Sequence, residues 1–145
     1  MKKTIIGALT LLTIGFTSVT FANTCPSMDK VKSNNWREKE YIAVDGDLEW
    51  KGNVEGGGGK VNHFINVIYD PTDKKILRCT YRMEHGGTLD LKPENSEGRN
   101  FEILDQRNWE KVFGTLYRCG EYGEMKGNKY IPKDRTVDQC RFKAE

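Results

Sequence analysis

Between residues 76 and 83 apolar and polar side chains alternate one for one, with Leu77, Cys79, Tyr81 and Met83 set against Arg78, Thr80 and Arg82. A period of two sends successive side chains to opposite faces of a strand, so one face is expected buried and the other wet. Residues 61–69 are rich in Val, Ile, Phe and Tyr, and the stretch Asp70-Pro71-Thr72-Asp73-Lys74-Lys75 between the two segments has turn chemistry. Together they predict an antiparallel hairpin. Shorter strands are expected at 88–91, behind His85-Gly86-Gly87, and at 101–104, behind the polar stretch 92–100. Residues 112–119 alternate again, with Phe113, Thr115, Tyr117 and Cys119 on one side. Residues 41–44 and 48–50 flank Asp45-Gly46-Asp47 as a further hairpin. Helical periodicity is sparse, with one short helix predicted at 26–32 and a turn near 105–111. Short strands between turn signals predict a mainly β fold, a small antiparallel β-sandwich or partly open barrel of about six or seven strands with little helix. Residues 120–137 hold many Lys, Gly, Glu and Asp and few apolar side chains, so a long surface excursion should return to the core at Cys140 and Phe142.

A different pattern opens the chain. Lys2 and Lys3 precede an uncharged run at residues 5–16 rich in Ile, Leu, Ala and Gly. This has the form of a secretory signal peptide, and Ala22 at −1 with Thr20 at −3 places cleavage between residues 22 and 23. The run is shorter than the roughly 20 residues of a transmembrane anchor. Ala22-Asn23-Thr24 ahead of Cys25 make a poor lipobox. The expected organisation is a cleaved signal at 1–22 and one globular domain at 23–145, without a membrane span once the signal is gone. The net charge of +2 then loses its meaning, because the leader carries two lysines and no acidic residue. The mature domain is formally neutral, whereas a nucleic-acid binder carries a basic excess, so that class is excluded as an expectation.

All four cysteines, Cys25, Cys79, Cys119 and Cys140, fall behind the leader. An even count in an exported chain reads as two disulfides, in the periplasm or outside the cell. Three pairings are open to the sequence. Cys119 with Cys140, a local clasp, and Cys25 with Cys79, a tie from the N-terminus to a central strand, are favoured. No Cys-x-x-Cys pair is present, which argues against a zinc ribbon or a thioredoxin-type site.

The chemistry-bearing motifs are weak. Gly56-Gly57-Gly58-Gly59-Lys60 lacks the spacing and the following Ser or Thr of a phosphate loop, and reads as a flexible surface loop. Asp45, Asp47 and Glu49 lack the arrangement of a calcium loop. His63 and His85 sit in no metal-binding or nucleophile motif. No catalytic residue, metal or cofactor is therefore assigned. The remaining expectation is an exported binding protein acting on a protein partner, such as an inhibitor, an immunity-type protein or a secreted factor. Trp50 and Trp109 are expected in the core. Tyr122 and Tyr130, in the excursion between the last two cysteines, are the candidate binding surface, because a clasped loop is an economical place for recognition. The alternative is a small hydrolase or cell-wall-active enzyme, which requires carboxylates such as Asp45, Asp47, Glu49 or Asp90 to converge in an aromatic-walled cleft.

Cys25-Pro26, Trp50 followed by Phe64, Cys79-Thr80-Tyr81, Leu89-Asp90-Leu91, Trp109 and Cys140-Arg141-Phe142 occur in this order along the mature chain. This ordered set resembles a family of small exported Gram-negative bacterial proteins of unknown function. The resemblance implies one domain of mature length with paired cysteines and brings no catalytic residues with it.

Overall fold

A computed structural model describes residues 22–145, so the segment read as a signal peptide lies, but for Ala22, outside the described residues. The strands run β1 Lys32–Asn35, β2 Glu40–Asp45, β3 Leu48–Glu55, β4 Val61–Asp70, β5 Lys75–Met83, β6 Thr88–Pro93, β7 Phe101–Ile103, β8 Glu110–Lys111, β9 Tyr117–Gly120, β10 Gly123–Lys126, β11 Lys129–Pro132 and β12 Phe142–Ala144. Eight of them form one antiparallel, unclosed sheet in the order β1-β2-β3-β6-β5-β4-β9-β8. This exceeds the six or seven strands expected. The surplus comes from strands without apolar alternation: β1 reads Lys-Ser-Asn-Asn and β8 has two residues. Both are sheet edges, where a polar or very short strand keeps unpaired backbone from recruiting another chain.

The second layer is small. β7 pairs with β12, and Asn23 bridges to Phe142 through N–H···O contacts of 2.6 and 2.9 Å. Between this layer and the main sheet lies the core, with Leu48, Trp50, Tyr81, Met83, Leu89, Leu91, Phe101 and Phe142 almost wholly buried. The Phe142 ring meets Trp50 and Phe101 edge to face, at centroid distances of 6.4 and 5.7 Å. Two tyrosine hydroxyls reach backbone carbonyls outside the main sheet: Tyr81 donates to Pro26 at 2.5 Å and Tyr69 to Phe101 of β7 at 2.7 Å. The disulfides are Cys25–Cys79 and Cys119–Cys140. Each staples the second layer, or the chain entering it, to the main sheet, at β5 and at β9 respectively.

Alternation on β5 holds from Cys79 to Met83, but at its start Ile76 is buried and Leu77, expected inward, is half-buried, and β4 does not alternate along its length. Val67, Ile68 and Tyr69 are buried in succession, and the β4–β5 register shifts at three points. Such bulges bend and twist a strand, here the one between β5 and β9. The expected single strand at 112–119 is broken. Phe113 stands 88% exposed in a turn closed by Val112 N–H to Leu116 O at 2.8 Å, with Gly114 at φ 66°. A glycine accepts that left-handed backbone without a Cβ clash, so the turn overrides the alternation. The helix expected at 26–32 contracts to one 3₁₀ turn, Met28–Lys30, before β1 begins.

The glycine run is a docked segment rather than a free loop. Gly58 donates to Gly86 O at 3.1 Å and accepts from His85 N–H at 2.9 Å. A Cβ on Gly57 would lie 2.0 Å from His85 O, so only glycine allows this approach. The excursion at 120–137 is not structureless either, since β10 and β11 pair within it in regular register.

Candidate binding cleft

The clasped excursion contributes a wall of one concavity, through residues other than the two tyrosines. Gly120 ends β9 at φ 143° and lies so close to β4 that a Cβ there would be 2.2 Å from Ile65 O. Glu121 follows, and its N–H donates to that same carbonyl at 2.7 Å. After the β10–β11 hairpin the chain returns to the starting point, where Arg135 N–H donates to Gly120 O at 2.9 Å. The Tyr122 amide is held by Asp134 Oδ1 at 3.2 Å. A short 3₁₀ turn, Val137–Gln139, then carries the chain into Cys140, with a reciprocal capping box between Thr136 and Gln139 at its start. Asn108 fixes the end of the turn through Gln139 O at 3.0 Å.

Between this returning segment and β4 lies a cleft of about 360 Å³. Phe64 and Val137 give it apolar surface, and Met28 from the N-terminal 3₁₀ turn adds a third apolar side chain. His63, Glu121 and Arg135 bring charge and hydrogen-bonding capacity. Glu121 Oε2 lies 3.3 Å from His63 Nε2 and 3.7 Å from an Arg82 guanidinium nitrogen, ion-pair contacts without hydrogen-bond alignment. Arg135 is different. Its Nε is buried without an acceptor, and the guanidinium forms no ion pair among the described residues. A buried unmatched donor costs about 1–3 kcal/mol, more when charged, and calls for an explanation.

The hydroxyls of the cleft are engaged elsewhere. Ser27 donates to Asp29 at 2.6 Å, and Thr136 is bonded to Gln139 at 3.3 Å. Neither is hydrogen-bonded to His63, so no nucleophile–base pair is assembled here among the described residues. No group of three or more His, Cys, Asp or Glu with metal-binding geometry occurs among the described residues.

The residues singled out from the sequence are placed as follows. All four cysteines are buried in the two disulfides. Tyr122 is half-buried beside the cleft, whereas Tyr130 is 56% exposed on β11 and lies over Gly123 of its own hairpin. The hairpin's outer rim is tied by Lys133 and Glu124 at 2.8 Å, a hydrogen bond that holds the Glu124 carboxyl below the usual carboxylate range. Trp50 and Trp109 are in the core and Trp36 is exposed. The four carboxylates of the hydrolase reading do not converge. Asp45 pairs with Lys30 at 2.8 Å and Asp47 with Arg99 at 2.8 Å in one recess with no aromatic side chain in its lining. Asp90 accepts from Thr80 on β6, and Glu49 is exposed on β3. His63, Glu121 and Arg135 were not grouped from the sequence, because they stand far apart along the chain and share no spacing. The only signal was the position of Glu121 just after Cys119-Gly120.

The class defined is thus a mainly antiparallel β domain, stapled by two disulfides, with a cleft walled by its clasped loop. A family described as protein of unknown function, DUF3757, matches residues 20–143, and the chain belongs to it. No curated protein and no solved structure gives a significant match.

Proposed function

We propose that this protein is an exported binding module that recognises a protein partner through the cleft between β4 and the clasped loop. The observation that carries the reading is the character of that cleft. Its walls are held by backbone hydrogen bonds and the Cys119–Cys140 bridge, its surface is apolar at Phe64, Met28 and Val137, and one arginine in it is unmatched. A rigid, partly apolar concavity with few polar groups is how a recognition site limits the entropy lost on binding. Two disulfides are consistent with folding outside the cytoplasm, and the leader at 1–22 supports export to the periplasm or the medium.

The test uses the full-length chain expressed in its native host, with a photo-crosslinking amino acid placed at position 28, 137 or 92. Position 92 is exposed on β6 and takes no part in the cleft lining. The expected results are a mature protein beginning at Asn23 outside the cytoplasm, and one polypeptide captured from positions 28 and 137 but not from 92. Retention of Met1 on a cytoplasmic product removes the export reading. Absence of adducts, or equal adducts at all three positions, removes the cleft as the recognition site.

A further inference from the structure

Resting on the reading of the cleft as a recognition site, we infer that Arg135 is the anchor for a carboxylate, and that the occupant is the free C-terminus of a partner chain ending in an apolar residue. Ser27 is bonded to Asp29, Thr136 to Gln139, and Asp134 to the Tyr122 amide. Glu121 stands against His63 and Arg82. Asp138 is exposed. Of the cationic side chains lining the cleft, His63 faces Glu121, whereas Arg135 has no ion pair among the described residues and its Nε has no acceptor. The guanidinium's planar fork of donors matches a carboxylate in geometry as well as charge.

The surroundings select among carboxylates. Phe64, Met28 and Val137 offer apolar surface in the same cleft. A terminal residue carries a carboxylate and an apolar side chain on one Cα, so both reach their places within a short span. An internal Asp or Glu would bring its charge alone and leave the apolar surface to a neighbour. The volume, about 360 Å³, is at the small end for a ligand site and suits one or two residues rather than a folded element. Capture of a C-terminus is a recurrent mode of peptide recognition. Backbone hydrogen bonding of Arg135 to Gly120, next to the clasp, holds the anchor at the cleft before the partner arrives.

The experiment measures fluorescence anisotropy with the disulfide-intact mature protein and fluorescein-labelled hexapeptide pools, random at five positions and ending in Leu. One pool has a free carboxylate and one is amidated. A third is amidated with Asp at the penultimate position. The free-acid pool is expected to bind at least tenfold more tightly than either amidated pool. Arg135→Gln should abolish that preference and Arg135→Lys restore part of it, with neither variant's denaturation midpoint falling below that of the wild type. Equal binding of acid and amide pools, equal binding of the internal-Asp pool, an unchanged preference in Arg135→Gln, or no binding of any pool overturns the proposal. If positions 28 and 137 still capture a partner in those cases, the cleft remains the recognition site and only the carboxylate anchor falls.

Discussion

Tyr81 has no solvent exposure, and its hydroxyl spends its one proton on the carbonyl of Pro26 across the core. Replacing it with Phe preserves the ring and its edge-to-face contact with Phe64 but leaves that carbonyl unmatched. Tyr81→Phe is therefore expected to lower stability by about 1–3 kcal/mol, read as a shift in the urea midpoint with unchanged m-value. Burial also drives the Tyr81 phenol well above its usual range near 10. Because the folded pKa is raised, the stability it contributes is complete below about pH 10, where the unfolded tyrosine is still neutral, and is lost as pH rises above that value. The difference in unfolding free energy between wild type and Tyr81→Phe should accordingly narrow above pH 10. A constant difference across that range would show that the hydroxyl is not held neutral by burial. At this scale the sequence was readable only in part. Alternation on the strand shows that Tyr81 faces inward, but Pro26 lies on a distant segment whose position the tertiary fold decides.

Gly120 decides where the clasped loop can run. With φ at 143° and the carbonyl of Ile65 2.2 Å from where a Cβ would sit, alanine is incompatible with both the backbone and the strand beside it. Gly120→Ala should cost about 2–4 kcal/mol and, in a variant that still folds, weaken whatever the cleft binds. Gly127, at φ 64° with open space around it, is the control. Gly127→Ala should cost about 1 kcal/mol, because only backbone strain is added. Thermal unfolding of the two variants gives the comparison, and similar losses in both would show that packing against β4 is not what limits Gly120. Element existence was legible on the longer strands with buried apolar residues, β4, β5 and β6. It was not legible for β1, whose side chains are polar, nor for β10 and β11, which form a local hairpin on the surface. In both cases the burial contrast from which periodicity is read is missing.

For the whole molecule, the disulfides set the balance. On the chain-entropy account, the loop of 54 residues closed by Cys25–Cys79 is worth about 4 kcal/mol and the loop of 21 closed by Cys119–Cys140 about 3 kcal/mol. A domain of this size has a net stability of about 5–15 kcal/mol, so the losses are a large part of the total. The double replacement Cys25→Ser with Cys79→Ser should lower stability more than Cys119→Ser with Cys140→Ser, as measured by denaturant unfolding. The second pair, however, should have the larger effect on the cleft, because the segment that carries Arg135 enters Cys140 directly. A reversed order of stabilities would point to strain or residual structure in the unfolded chain rather than loop entropy. Removing both bridges should leave no cooperative transition at 37 °C.

The sequence by itself determined the class of fold and its bonding inventory. Period-two burial specifies strands, turn residues specify their spacing, and an even set of cysteines is consistent with disulfides, since each of these rests on local chain chemistry. The pairing of the cysteines, the second layer made by Asn23, β7 and β12, and the meeting of His63, Glu121 and Arg135 were decided only by the tertiary structure. The physical reason is the same for all three. They depend on contacts between segments far apart in the chain, brought together by burial of the core between two layers, and no local pattern of side chains encodes which distant segment arrives. Tyr122 and Tyr130 could be singled out from their place between the last two cysteines, whereas Arg135 meets His63 and Glu121 only in the folded chain. The surface excursion at 120–137 could be anticipated from its composition, but not the pairing of β10 with β11 inside it. The return of Arg135 to Gly120, which makes the cleft, follows from the clasp and from the absence of a side chain at Gly120.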